Sequence, residues 1–467
     1  MSDNPYYPPL PAGDWDRERI EHSRLRRRLL SGAWHSDLAQ FLAREIGAVR
    51  LRSWGEGDTT KNVFRDVVSQ LSVLYDQAPI ISHEAPGASE ELTRIVNDAG
   101  LWQYAGRLQQ ITVGMREGLY RLSVTNGDEG PAAHVRIVTP DMVTAIGDRD
   151  TPDQPVVINE WRLRDLGGKN PEWTIDHLSI KGDPVYRVLS ADGTEDLSGL
   201  FLGVDGGLVG DDYPYICAGR PCLPYVLYHA QRGQLFDPFE GIELCTGSLV
   251  CAVLWTFWRH CVRQASWPQR YAVGVRPAGG RVTEKGQNMA YIPTDPASLL
   301  NFEPTTDAPA ILGQFQAGSD PVALGEAIRA YAADLSMSAG ISSTDLARVK
   351  ANPRSGYAIA LDREGVRAAQ RRAEPQFSRG DLETISKIAA FWNTATGDSL
   401  PETDWQIAYP GVPLSTDEKQ KRIDEWKALA DLGLASPADL FMMVHNVSRE
   451  TATRELERIA LERSRFQ

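Results

Sequence analysis

The segment GIELCTGSLVCAVLWTFWRHCVRQ, Gly241 to Gln264, constrains this chain more than any other. It contains no proline, and as a helix it would be roughly 36 Å long. Its apolar residues fall on every side of such a helix instead of along one stripe, so it must be enclosed, either deep in a core or by other subunits. The uncharged stretch Leu244 to Trp258 is bounded by Glu243 and Arg259 and falls short of the ~18 residues a membrane span needs. A buried helix is therefore expected, ended by Pro268.

Helical spacing also precedes this segment. RERIEHSRLRRR, Arg17 to Arg28, sets six arginines against two glutamates on a helical pattern, which reads as a solvated face or as contact with a partner or nucleic acid. Val63, Val67, Leu71 and Leu74 share one helix face that ends before Pro79, and the period returns from Glu90 to Glu117. The texture then changes. LYRLSVTNG, AHVRIVTP, PVVINEWRL, WTIDHLSI and PVYRVLSADG are short β-rich runs separated by Gly, Asp, Asn and Pro, so a strand-rich unit is expected from 119 to about 230.

After Pro268 comes a strand-and-turn module with scattered charges. Helix signals then resume: Asp320 is the expected N-cap, Pro321 the first helical residue, Leu324, Ile328, Tyr331 and Leu335 a stripe, and Gly340 the stop. A loop with the breakers Asn352, Pro353 and Gly356 carries the basic residues Arg348, Lys350 and Arg354. Beyond it, Tyr357 to about Trp392 reads as one long helix kinked at Pro375, because Leu382, Ile385, Ile388 and Trp392 resume the apolar face. Asp404 to Leu414 reads as a lone strand. The tail is helical: Ser415 with Glu418 forms a capping box, Gly433 stops that helix, Ser436-Pro437 starts the next, and a third runs on from Ser448.

At 467 residues the chain exceeds what one compact core usually holds, so two or more units are expected. A net charge of −13 argues against a surface that coats nucleic acid, though not against one past which DNA slides. The five cysteines, an odd number with no CxxC spacing, read as reduced and mostly buried thiols of a chain made and kept in the cytosol. MSDNPYYPPLPAGDWD is polar and proline-rich, the composition of an arm and not of a secretory signal.

The usual catalytic patterns fail. DLGGKNPE lacks the spacing and the Ser or Thr of a phosphate-binding loop, and GVDGGLVGDD lacks dinucleotide spacing and a following helix. Histidines are scattered without HxxxH spacing, and no GxSxG elbow occurs, so no metal or cofactor is expected. Paired carboxylates such as Asp211-Asp212 leave open a hydrolase with an acidic pair in the 119–240 unit. A minor capsid or scaffolding protein without a channel is the third reading.

The order of these elements resembles the portal proteins of tailed double-stranded DNA bacteriophages. LPYVLYHAQRGQLFDPFEGIELCTGSLVCAVLWTFWRHCVRQASWPQRYAVGV is similar to the first stem helix of that family and its exit into the clip. AIRAYAADLSMSAGISSTDLARVKANPRSGYAIALDREGVRAAQRR is similar to the second stem helix, the tunnel loop and the long wing helix, and IAYPGVPLSTDEKQKRIDEWKALADLGLASPADLF to the closing strand and crown. The resemblance implies an α+β portal fold. Its parts would be a mixed α/β wing with an N-terminal arm over 1–241, stem helix 1 over 242–268, a small clip over 269–320 and stem helix 2 over 321–340. They would continue as a tunnel loop over 341–356, the rest of the wing over 357–414 and a helical crown over 415–467.

It further implies a non-enzymatic homo-oligomeric ring, a dodecamer, at one capsid vertex of the virion, assembled in the host cytoplasm. Through it double-stranded DNA would be packaged and ejected. Partners would be the major capsid protein, the terminase large subunit and then the head–tail adaptor, with no membrane. Carried onto this chain, the tunnel-loop residues are Arg348, Lys350, Asn352 and Arg354; the stem contacts Leu254, Trp255, Trp258, Ile328 and Tyr331; and the clip residues Arg276, Arg281, Glu284 and Lys285. A loop with breakers on both sides can move without unfolding its helices, and its basic residues would touch phosphates without reading bases. A merely solvated connection is the alternative.

Overall fold

The structure is a computed structural model that describes residues 7–9, 14–47, 56–127, 130–165, 171–201, 214–230, 235–236, 241–266, 320–341, 356–410, 416–445 and 449–465, and between 267 and 319 only short strands. The helices are α1 (Asp14–Ser31), α2 (His35–Ile46), α3 (Val63–Leu71), α4 (Ala88–Asp98), α5 (Leu101–Met115), the single turn α6 (Ser198–Phe201), α7 (Ile242–Ser266), α8 (Pro321–Ser338), α9 (Gly356–Thr396), α10 (Thr416–Asp431), α11 (Pro437–His445) and α12 (Arg449–Arg465). The longer strands are β1 (Ile80–Ser82), β2 (Glu117–Gly127), β3 (Gly130–Val138), β4 (Val143–Gly147), β5 (Pro155–Arg164), β6 (Glu172–Ser179) and β7 (Val185–Ser190). The small hairpin β8 (Ile216–Cys217) and β9 (Arg220–Pro221) leads to β10 (Tyr225–His229). Among the described residues, six strands lie between α7 and α8: β11 (Arg270–Val273), β12 (Val275–Pro277), β13 (Arg281–Val282), β14 (Asn288–Met289), β15 (Phe302–Pro304) and β16 (Ile311–Gln314). The last strand is β17 (Gln406–Ala408).

Two compact units divide the chain: residues 1–31, 64–245 and 336–467 form one, and 32–63 with 246–335 form the other. In the first, β2 pairs with β3 and β10 in a three-stranded antiparallel sheet of order β10-β2-β3, and β4 to β7 make a four-stranded meander. Leu108 of α5, Leu119 and Tyr120 of β2, and Phe377, Ile385 and Ile388 of α9 are buried in one continuous core. Glycine sets how near the layers come: at Gly380 of α9 an added Cβ would lie 2.5 Å from the Tyr228 ring of β10. α9 runs through Pro375 without ending, since the apolar face on either side of the proline remains buried.

Three sequence expectations need correction. The helical period from Glu90 to Glu117 is two helices, because Gly100 takes a left-handed φ of 66° and turns the chain between α4 and α5. The strand expected to stand alone is β17, and it pairs antiparallel with β1, Ile80 opposite Ala408. Arg17 of α1 is exposed, but most of the arginines of that helix are turned into the fold instead of forming one solvated face. Arg19 is buried and donates to the carbonyls of Pro140 (2.8 Å) and Val143 (2.7 Å), and Arg27 pairs with the buried Asp141 at 2.9 Å. A guanidinium fork suits this work, because it closes off several carbonyls at once where a strand begins.

The second unit holds α2, most of α7 and α8, and the strands between them. These strands pair in nested order, β11 with β16, β12 with β15, and β13 with β14, all antiparallel. The chain thus leaves one helix, goes out along one side of a β excursion and returns along the other into the next helix.

Candidate assembly site

α7 and α8 lie antiparallel against each other. A Cβ on Gly247 would meet the Leu335 side chain at 2.6 Å, while Gly325 lies under Trp258, whose indole N–H donates to the Pro321 carbonyl at 2.8 Å. A glycine from each helix admits a large side chain of the other, so the backbones come close at both ends of the pair. α8 starts as the sequence predicts, with Asp320 accepting from the Val322 N–H at 2.9 Å, and stops at Gly340, φ 89°, where the Ile341 N–H returns to the Ser336 carbonyl. Thr256 of α7 is buried; its hydroxyl donates to the Ala252 carbonyl and accepts from the Asp58 N–H at 2.9 Å, and Arg259 donates to the Glu56 carbonyl.

The predicted stem residues fall into three environments. Leu254, Trp255 and Trp258 are half-buried, the two indoles meeting edge to face at 5.3 Å. Ile328 is 1% exposed, packed within the chain itself. Tyr331 is 39% exposed and Val322 67%, at opposite edges of the exposed side of α8, which also carries the exposed Ala323, Ala327 and Ala330 and the charged Glu326, Arg329 and Asp334. The enclosure that the apolar helix requires is thus met in part by α8, and the uncovered apolar surface is on α8 rather than at the tryptophans. The tunnel-loop residues Arg348, Lys350, Asn352 and Arg354, and Glu284 and Lys285 of the clip, lie outside the described residues. Arg276 and Arg281 stand on β12 and β13.

The strand-rich unit does contain an acidic pair. Glu160 of β5 and Asp176 of β6 are directly opposite each other, and both are buried. Two like charges at such a position repel. Arg121 of β2 removes the conflict by reaching Glu160 at 3.0 Å and Asp176 at 2.6 Å with one nitrogen, while Arg136 takes Glu160, Arg164 and Arg162 take Asp176, and the Tyr225 hydroxyl donates to Glu160 at 2.7 Å. Burial works to raise both carboxyl pKa values, but the guanidinium groups outweigh it and hold both below the ordinary range. A pair so saturated has no carboxylate lone pair directed at a substrate, which argues against acid–base use. Asp211 and Asp212 lie outside the described residues.

The second buried cluster centres on Asp381 of α9. Tyr75 (2.7 Å) and Tyr409 donate to one of its oxygens, and Tyr228 (2.9 Å) to the other; Tyr228 also meets Thr384 at 2.8 Å. Burial pushes the carboxyl up to about 6 against the opposing pull of the three phenols. One carboxyl therefore ties α9 to β10, to the segment after α3 and to the segment after β17. This cluster went unnoticed in the sequence, yet it left a sign: Phe377, Asp381, Thr384 and Ile388 share one helix face, so an acid interrupts an apolar stripe.

Among the described residues no group of three or more His, Cys, Asp or Glu side chains could hold a metal ion, and no helix is long and apolar enough to cross a membrane. The five cysteines are free thiols. No family model matches the chain, and no curated protein matches it. Among solved structures it is similar to a chain in the virion of a native gene transfer agent (GTA) particle, with 12% identity over 82% of this chain and 88% of that one and a TM-score of 0.39. A likeness at that level carries no argument about fold or role.

Proposed function

We infer that this chain is a structural subunit of a phage-like particle, specifically a portal subunit that assembles into a ring around a DNA channel. The observation that carries the reading is the α7–α8 pair: two antiparallel helices with a nested β excursion between them and exposed apolar residues on the second, interspersed with charged ones. A stem and clip have this order, and the uncovered Val322, Ala327 and Tyr331 are what neighbouring stems would cover. The remaining parts follow from the sequence resemblance: the wing around the three-stranded sheet, the crown in α10 to α12, the loop with Arg348, Lys350 and Arg354 toward DNA, and docking of capsid protein, terminase and adaptor at wing and clip. No catalytic role is assigned to the chain.

The deciding measurement is native mass with negative-stain imaging of the purified chain. A closed ring with a central hole is expected; a monomer or small oligomer would favour the hydrolase, and a polydisperse population the scaffold. Replacing the two exposed residues together, Val322→Glu with Tyr331→Glu, should leave folded, unassembled chains, because charge would be forced into the subunit contact. Intact rings from that variant would remove α8 from the assembly surface. On rings verified as intact, changing Arg348, Lys350 and Arg354 to Ala should alter packaged DNA length with a dependence on salt, and unchanged packaging at every ionic strength would favour a solvated connection.

A further inference from the structure

The two oxygens of the Asp381 carboxyl are used unequally. Oδ2 accepts from both Tyr75 and Tyr409, whereas Oδ1 meets the Tyr228 hydroxyl at 2.9 Å. Tyr228 in turn has a second partner, Thr384 Oγ1 at 2.8 Å, and either hydroxyl of that pair can be the donor. The chain from Asp381 through Tyr228 to Thr384 can therefore run in two directions. Around a carboxylate, Tyr228 donates to Oδ1 and accepts from Thr384. Around a carboxylic acid, Oδ1–H donates to Tyr228, which donates onward to Thr384. Passing from the first state to the second adds one proton at Oδ1 and turns two hydroxyl hydrogens, with no O–H bond broken. The Thr384 hydrogen then goes to the carbonyl one turn back, as Thr394 of the same helix gives its own to Ala390 at 3.0 Å.

The surroundings favour the acid. Asp381 is 1% exposed, burial raises its pKa against the pull of three phenols, and among the described residues no cation acts on it. The phenols cannot supply the charge instead, because burial also holds Tyr75, Tyr228, Tyr409 and Tyr120 above their ordinary range. Tyr120 of β2 meets the Tyr228 ring edge to face at 5.5 Å, and its buried hydroxyl has no hydrogen-bond partner among the described residues. The charged groups nearby on α9 are engaged elsewhere: Arg379 with Asp153, Lys387 with Glu383 and the Tyr225 carbonyl, while Glu374 acts on Tyr409. A proton on Oδ2 would have to pass among Oδ2, Tyr409 and Tyr75, and a ring of three oxygens bends each bond away from linear. Oδ1 is the better site.

We propose that Asp381 is a proton-binding switch: its neutral carboxyl donates from Oδ1 to Tyr228, whose own hydrogen turns to Thr384, and release of the proton reverses that chain. In the neutral state Tyr75 and Tyr409 still hold Oδ2, so the junction of α9 with β10 and the two flanking segments is fully bonded. In the ionised state the same junction carries a buried anion with no counter-ion. The grip of α9 on the Tyr75 and Tyr409 segments therefore weakens as pH rises. Every member of the switch belongs to the first unit, so it works in a single chain as in a ring.

The test is infrared difference spectroscopy of the full chain against pH, following the neutral-carboxyl band that Asp381→Asn removes. Thr384→Val leaves the Tyr228 hydrogen of the acid form without an acceptor, so the midpoint of that band should fall by about one pH unit. Loss of a polar neighbour would by itself raise it, which makes the sign decisive. Tyr409→Phe takes a donor from the charged form and should raise the midpoint. Tyr75→Phe frees the neutral carbonyl, Oδ2, from one of its two donors, so the band should move to higher frequency, a readout that stands even if Thr384→Val fails to fold. The proposal is overturned by a midpoint unchanged or raised in Thr384→Val, by one unchanged or lowered in Tyr409→Phe, or by an unmoved band in Tyr75→Phe. It is likewise overturned if Asp381→Asn removes no band at any pH.

Discussion

The two units treat their awkward residues in opposite ways. The first buries charge and satisfies it: Glu160 and Asp176 oppose each other across two strands, and four guanidinium groups surround them. The second leaves apolar side chains uncovered on α8 while packing the glycine-lined side against α7. Buried ionic networks usually add little net stability, yet they are costly to break and they hold a sheet in one register. Apolar side chains left in water carry a hydration cost that covering them would relieve. The contrast sets a part whose buried charges are answered within the chain against a part whose exposed side chains are what the proposed assembly would use.

The severest test of that contrast is Arg121→Leu, which leaves two buried carboxylates facing each other. A loss of about 3–5 kcal/mol in urea unfolding is expected. A loss under ~1 kcal/mol would mean that Arg136, Arg162 and Arg164 already suffice.

Next in size is the pH response of Asp381. Its folded pKa, about 6, lies above the 3.8 of an ordinary aspartate, so between those values the folded state holds a proton that the unfolded state has released. Stability at this site is greatest below the lower value, falls as pH rises through about 6, and then levels, a change of roughly 3 kcal/mol. Glu160 and Asp176 have the opposite sign: their folded pKa values are lowered, so their contribution is present above the ordinary carboxylate range and is lost as pH falls through the depressed values. Asp381→Asn should flatten the slope between about pH 4 and 6 and leave the acid-side loss in place. An unchanged slope would show that Asp381 titrates normally.

Gly247→Val comes third. The added carbons collide with Leu335, and the helix pair should lose about 1–3 kcal/mol while the first unit melts as before. Smallest of all, Val322→Glu with Tyr331→Glu should change the melting of the unassembled chain by only ~0.5 kcal/mol, since both residues are exposed there. A large loss would mean that the α8 face already serves the fold.

The sequence was informative wherever the signal was local. Asp320, Pro321 and Gly340 bracket α8, and Ser436 caps α11 by exchanging hydrogen bonds with Asp439. It failed wherever the partner was remote. β1 is three residues after a proline, too short for a period to be seen, and only β17 makes it a strand. Arg19 looked like a surface residue because its acceptors are carbonyls more than a hundred residues away, and a carbonyl leaves no trace in composition. The stem residues divided for a related reason: spacing places Ile328 and Tyr331 on one stripe, but only the position of α7 determines which of the two is covered.

The hydrogen bond from Tyr75 to Asp381 spans 306 residues of chain. At ~5–20 residues per second of synthesis, the ribosome needs roughly 15–60 s to deliver the carboxyl after the phenol has emerged. β1 waits longer still, since β17, its ladder partner among the described residues, follows Asp381. The first unit therefore cannot close until Asp381 and β17 have emerged. Its core of Tyr, Phe and Leu side chains stays open until nearly the whole chain is out, the interval in which a chaperone would do most to raise the yield of folded subunits.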